Sequence, residues 1–160
     1  RYQDIEAESV SLLTNENGDA IIRVIAGSLG GIDGPGSTHT PIAISHVTLL
    51  PGAQLSLPWN PSYNALTYVL AGQGTVGFDR TAIGEGEMAV HVDGDFLVLA
   101  ANESQDSRTH AFEVLILGGE PIREPVATYG PFVMNTRAEL QQAFEDYEAG
   151  RLGQIPAEHI

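Results

Sequence analysis

Glycine and proline divide this chain into short apolar runs, and their spacing restricts the fold more than any other feature of the sequence. Runs of this length suit strands, which usually contain about three to ten residues. Several of them alternate apolar and polar residues, as strands buried on one face do. The runs are 19–27, 41–50, 53–57, 66–72, 74–78, 87–92, 96–101 and 110–119. Short strands joined by turns in this way predict an all-β protein, either a sandwich or a small barrel.

One of the turns makes a more specific prediction. Asp93-Gly94-Asp95 separates the run 87–92 from the run 96–101. Asp-Gly is a preferred pair in tight hairpin turns. We therefore expect these two strands to pair with each other.

The C-terminal residues have the periodicity of a helix. Thr136 and Glu139 match a capping box, in which each side chain accepts a hydrogen bond from the other residue's backbone. Gly150 is suited to the position just beyond a helix end. Between them lies an apolar stripe at helical spacing, Leu140, Ala143, Phe144 and Tyr147. These features predict one helix over residues 137–149.

The length of 160 residues suits one domain with an appendage. We expect a β-barrel in residues 1–134. We expect the helix and tail, residues 135–160, to pack on the barrel or on a partner domain. The chain begins with Arg1, which is typical of a processed form or of a piece of a longer protein.

Composition excludes several classes of function. The formal net charge is -14 and the seven cations, all arginine, are scattered, so direct binding to nucleic acid is not expected. The absence of lysine excludes Schiff-base and P-loop chemistry. The absence of cysteine excludes disulfides and is compatible with the cytoplasmic location that we expect. No apolar run approaches the roughly 18 residues that cross a bilayer, so we expect no membrane partner.

Titratable side chains form no recognisable metal-binding pattern. None of the five histidines has another histidine at the spacing of an H-x-H or H-E-x-x-H site. His91 and His110 lie in strand-like runs, and whether they meet across a barrel stays open. Glu120, Arg123 and Glu124 place a cation between two anions, which predicts a structural ion-pair network.

Two glycine pairs have the spacing of the turns that frame the metal site of cupins. Gly52 and Gly72 match the first cupin motif, and Gly86 and Gly94 match the second. The positions of the metal ligands in this frame are occupied by Pro58, Asn60, Ala65 and Leu97. A divalent metal needs several N or O ligands that converge on one point. The resemblance therefore implies a cupin-type double-stranded β-helix, or jelly-roll barrel, with no metal and no catalytic residue in this chain.

A closer resemblance covers nearly the whole chain. The segments "LPGAQLSLP", "YVLAGQG" and, above all, residues 114–150, "VLILGGEPIREPVATYGPFVMNTRAELQQAFEDYEAG", are similar to the C-terminal domain of pirins. This resemblance implies one half of a bicupin, a protein with two β-barrels in one chain. The family's metal, usually iron, lies in the N-terminal barrel, held by three histidines and a glutamate. Some members resemble quercetin 2,3-dioxygenases in activity.

Three functions follow as hypotheses. In the first, the chain is a metal-free, non-catalytic cupin domain with structural or partner-binding roles. It then packs against an N-terminal cupin domain of the same protein or against a homodimer partner. In the second, it is part of a quercetin 2,3-dioxygenase whose iron or other divalent metal lies in an N-terminal half. In the third, it is a stand-alone domain that binds a small apolar ligand in a pocket lined by Trp59, Tyr68 and Leu97.

Overall fold

Two antiparallel sheets contain most of the strands in this chain. A computed structural model describes residues 3–153. In that range the strands are β1 (Ser11–Thr14), β2 (Ala20–Ala26), β3 (Ser28–Leu29), β4 (Ile32–Asp33), β5 (Ile42–Leu49), β6 (Gln54–Pro58), β7 (Asn64–Ala71), β8 (Gln73–Val76), β9 (Thr81–Gly84), β10 (Met88–Val90), β11 (Phe96–Ala101), β12 (Phe112–Gly119), β13 (Ala127–Tyr129) and β14 (Phe132–Met134). The larger sheet has the order β1-β2-β5-β12-β7-β10, and the smaller has the order β6-β11-β8-β9.

Each of the predicted runs contains a strand, so the all-β prediction is confirmed. The sequence does not predict β1 and β9. It also misses two small hairpins, β3 with β4 and β13 with β14.

Alternating side chains of the two sheets point toward each other and fill the interior. Along β5 the buried side chains are Ala43, Ser45, Val47 and Leu49. Phe112 of the larger sheet and Leu99 of the smaller sheet are fully buried in the same cluster. Each large aliphatic side chain buried in this way contributes about 1.5–3 kcal/mol. Two sheets closed over one apolar interior form the jelly-roll barrel expected of a cupin.

The predicted hairpin around Asp93-Gly94-Asp95 is wrong. β10 pairs with β7 in the larger sheet, whereas β11 pairs with β6 and β8 in the smaller one. The residues between β10 and β11 therefore pass from one sheet to the other. An Asp-Gly turn shows where the chain reverses, but it does not determine which strand the returning chain joins.

The chain divides into two compact units, and the boundary along the sequence lies between Pro121 and Ile122. Residues 122–134, which we predicted to belong to the barrel, group with the helix α1 (Arg137–Glu148). The capping box is confirmed, since the Thr136 side chain accepts from the Glu139 backbone and the Glu139 carboxylate accepts from the Thr136 backbone. No helix within residues 3–153 is long and apolar enough to cross a membrane.

Aromatic rings hold the helix against the β13–β14 hairpin. The ring of Phe144 lies with its centroid 5.4 Å from that of Tyr129 and 4.9 Å from that of Phe132. Leu140 and Ala143 are buried beside it, as the predicted apolar stripe requires. Gly150 follows the helix with a φ of 69°, the left-handed conformation of a C-terminal cap.

Replacement of Gly118 by alanine tests the packing of the barrel interior. A Cβ at Gly118 would collide with the backbone oxygen of Asn64 and with the indole of Trp59. Because backbone and a buried ring cannot move aside cheaply, we expect Gly118→Ala to lower the free energy of unfolding by about 1–3 kcal/mol. Urea unfolding followed by circular dichroism measures this.

Gly84→Ala is the matched control, since the nearest atom to its Cβ would lie 3.8 Å away. We expect that variant to change the unfolding free energy by less than about 0.5 kcal/mol. Equal unfolding midpoints for the two variants would contradict the close packing at Gly118.

Candidate functional site

The end of the barrel that carries the metal in cupins is filled by apolar side chains. The positions that the glycine frame assigns to ligands do not form a cluster, because Pro58 and Asn60 are exposed whereas Ala65 and Leu97 are buried. Successive side chains of a strand point to opposite faces. On β6 the inward face carries Leu55 and Leu57, and Trp59 continues it beyond the strand.

At the first two ligand positions of the cupin motif, the inward-facing residues therefore lie one residue earlier than the glycine spacing predicts. Leu57 and Trp59, rather than Pro58 and Asn60, occupy the inward positions. A leucine has no ligand atom, and the indole N–H of tryptophan is a donor only. The inward register therefore supplies no metal ligand, and Asn60, a weak ligand at most, is exposed with its Oδ1 accepting from Ser62.

The residues present at this end do not fit a divalent metal. Leu57, Trp59, Ala65 and Leu97 together offer no nitrogen or oxygen lone pair from a side chain. Between residues 3 and 153, no group of three or more histidines and carboxylates lies close enough to hold a metal ion. No catalytic step through a metal can be derived for this barrel.

Trp59 takes the space that a metal site would need. Its side chain is 8% exposed, and its ring lies directly against Gly118. Tyr63 meets it edge-on, with ring centroids 6.4 Å apart. Its Nε1 is buried with no hydrogen-bond partner among the described residues. The ring serves as core rather than as the wall of a pocket.

A cavity of about 460 Å³ opens beside this filled interior, and it is lined by residues 76–79, 81 and 89–96. None of the three predicted pocket residues lines it. Trp59 and Leu97 belong to the core cluster, and Tyr68 is 38% exposed on the outer face of β7. Tyr68 lies between the inward-facing Thr67 and Val69, so the pleat places it on the opposite side of the sheet.

His91 lies between the cavity and the interior. Its Nε2 is 2.8 Å from the hydroxyl oxygen of the fully buried Thr67, and its backbone N–H donates to the carbonyl of Ala65. Burial lowers the pKa of His91, because the charged imidazolium loses hydration there. The sequence did not indicate this pair, because a contact between β7 and the end of β10 depends on which strands pair.

His91 and His110 do not meet. His91 is held beside Ala65, near the first residues of β7. His110 is exposed and precedes β12, whose Glu113 pairs with Ala71 at the other end of β7. At the rise of an extended strand, the two positions are roughly 20 Å apart. His39 is exposed in a loop, and His159 lies outside the described residues.

A polar group lies on the outer face of the larger sheet. His46 Nε2 is 3.4 Å from Glu113 Oε2 and has no hydrogen-bond partner among the described residues. Nearby, the Arg23 guanidinium donates to the hydroxyl of Thr48 over 3.1 Å. These residues lie on β2, β5 and β12, which are neighbours in the sheet.

The predicted ion-pair network does not form between Arg123 and Glu124. In the described part of the chain, the arginine–carboxylate ion pair found is Arg151–Asp146, and His46 lies close to Glu113. Glu124 instead accepts a hydrogen bond from the Asn135 side-chain amide at 2.9 Å. Arg123 has a φ of 54°, and this turn in the backbone is not visible in the order of charges along the sequence. The role of Glu120 in such a network stays a prediction.

The fold and the filled interior define a cupin-type barrel whose described residues offer no metal site. The Pirin C-terminal cupin domain family matches residues 44–153. A pirin-like protein of Arabidopsis thaliana is 35% identical over 99% of this chain and 51% of its own length. Pirin of Homo sapiens is 31% identical over 96% of this chain and 51% of its own length.

A solved structure also resembles this chain in both fold and sequence. Quercetin 2,3-dioxygenase from Acinetobacter baumannii matches with a TM-score of 0.84 and 30% identity, over 98% of this chain and 52% of that chain. This chain belongs to the pirin family. It spans about half the length of the curated relatives that it matches.

Replacement of His91 by glutamine tests the burial of its imidazole. An unfolded histidine has a pKa of about 6.5, and the folded value is lower, so below about pH 6.5 the unfolded state binds more protons. The wild type should therefore lose stability as the pH falls through this range. His91→Gln should lose less between about pH 7.5 and pH 5.5, as measured by urea unfolding at each pH. An equal loss in both proteins would contradict the lowered pKa.

Proposed function

We propose that this chain is a metal-free, non-catalytic cupin domain whose function is to pack against another domain. The observation that carries the proposal is the apolar interior, in which Leu57, Trp59, Ala65 and Leu97 occupy the positions expected of ligands. A barrel filled in this way has room for neither a metal nor a substrate at that point. In this proposal the domain contributes stability and a fixed outer surface for packing.

Exposed apolar side chains indicate where a partner packs. On the outer face of the larger sheet, Tyr68, Met88 and Val90 are 38%, 57% and 73% exposed. In the second unit, Tyr129 and Tyr147 are also largely exposed. Within a unit, apolar groups that gather on one surface are typical of interaction sites.

The proposed partner is an N-terminal cupin domain of the same protein, and a second copy of this chain is the alternative. Relatives about twice as long as this chain support the first choice. The proposal includes a cytoplasmic location, with which a cysteine-free chain is compatible.

The second candidate function belongs to the whole protein. The similarity to quercetin 2,3-dioxygenase from Acinetobacter baumannii supports an oxygenase activity of that kind. Iron or another divalent metal would then be bound in the other half of the protein. In that case this domain contributes to activity only by holding the other half in place.

Metal loading tests the non-catalytic assignment. We expect the chain to retain no stoichiometric metal after incubation with Fe(II) and dialysis, because no ligand set is present among its described residues. Elemental analysis measures the metal, and loss of quercetin absorbance measures activity. Retention of one Fe per chain together with quercetin consumption would overturn the proposal.

Light scattering tests the interaction surface. Alone at high concentration, the chain should show a mass near twice its 17.0 kDa, because the uncovered sheet face associates with a second copy. Met88→Glu on that face should favour the monomer. Val92→Glu is the matched control, since Val92 is 93% exposed in the connection between β10 and β11, outside the strands of that sheet. A wild-type monomer at high concentration would contradict this prediction.

A further inference from the structure

The cavity beside the barrel interior is a feature that packing against a partner does not explain. Its walls are the connection between β8 and β9 and the crossing between β10 and β11. Its volume of about 460 Å³ lies in the range typical of small-molecule sites. None of the inward-facing residues at the expected ligand positions, Leu57, Trp59, Ala65 and Leu97, lines the cavity.

Aromatic and aliphatic side chains are exposed around this cavity. Phe78 is 83% exposed, Phe96 is 46% exposed and Val92 is 93% exposed, and all three line the cavity. A soluble chain that leaves two phenylalanine rings uncovered at one opening presents a surface for apolar contact. The rings also present π-faces, which attract cations when these approach within about 6 Å.

The charge at the cavity is negative. Asp79, Asp93 and Asp95 line it, and in the described structure none of them forms an ion pair. Among the described lining residues there is no arginine, and Arg80, between Asp79 and Thr81, is outnumbered by the three carboxylates. His91 adds no opposing charge near neutral pH, since burial lowers its pKa. An anionic ligand would therefore be repelled, and a cation would be attracted.

The backbone that carries these groups is fixed at several points. The carbonyl of Asp95 accepts a hydrogen bond from the backbone of Trp59, at 2.8 Å. The Asp79 carboxylate accepts from the Thr81 hydroxyl, at 3.0 Å. His91 is held by Thr67. Groups held in this way do not have to be ordered when a ligand enters.

We propose that this cavity binds a small organic cation, an alkylammonium group attached to an aromatic or branched apolar body. The phenylalanine rings contact the apolar body and the face of the cation, and the carboxylates neutralise its charge. The proposal goes beyond the packing function and does not depend on it.

Binding of benzyltrimethylammonium to the chain tests this proposal by isothermal titration calorimetry and by chemical-shift changes of the Phe78 and His91 amides. We expect saturable binding below about 10 mM, with shifts confined to residues 76–96. The matched probes are neutral benzyl alcohol and anionic 3-phenylpropanoate. Benzyl alcohol should bind at least about tenfold more weakly, and phenylpropanoate should not bind.

Substitutions of the lining residues identify the groups that bind the cation. Asp93→Asn together with Asp95→Asn, and separately Phe96→Ala, should each weaken binding by about tenfold. Asp106→Asn, an exposed carboxylate outside the cavity, is the matched control and should bind like the wild type. Asp93 and Asp95 are exposed, so their amide variants should keep the fold, which circular dichroism checks.

No saturable binding of benzyltrimethylammonium, or equal binding of all three probes, would overturn the proposal. Equal weakening by Asp106→Asn would show attraction to the overall negative charge and would overturn it too. These outcomes leave the light-scattering and metal results unchanged, so failure here is distinguishable from failure of the packing function.

Discussion

The structure depends on the alternation of side chains along the strands of two facing sheets. Every second residue of β5, β7 and β12 is directed into one interior, where Val47, Val69 and Val114 are completely buried. Apolar burial of this kind is the main driving force of folding. The same alternation decides which residues remain on the outside, including Tyr68 and His46. The core and the outer surface of the sheets both follow from this one geometric rule.

The exchange of ligands for apolar side chains at one end of the barrel has a structural consequence. Trp59 fills that space because Gly118, on β12 of the larger sheet, has no side chain. A tryptophan and a glycine that fit together in this way add buried apolar surface to the core.

The sequence predicted the strands well and their partners poorly. Periodicity and glycine turns located β5, β7 and β12, and the capping box at Thr136 located the helix, because these signals are local. The Asp93-Gly94-Asp95 turn was misinterpreted as a hairpin because a local signal cannot report that β10 and β11 join different sheets. That same crossing forms one wall of the cavity, so the cavity could not be predicted.

The sequence by itself determined the all-β class and the position of the helix, since these depend on residue type and spacing. It also determined membership of the pirin family through the long block at residues 114–150. Only the tertiary structure decided that Leu57 and Trp59 face inward, that His91 meets Thr67 and that Arg123 does not pair with Glu124. Each of these depends on strand register or a local backbone turn. A shift of one residue in register reverses the face to which every side chain of a strand points.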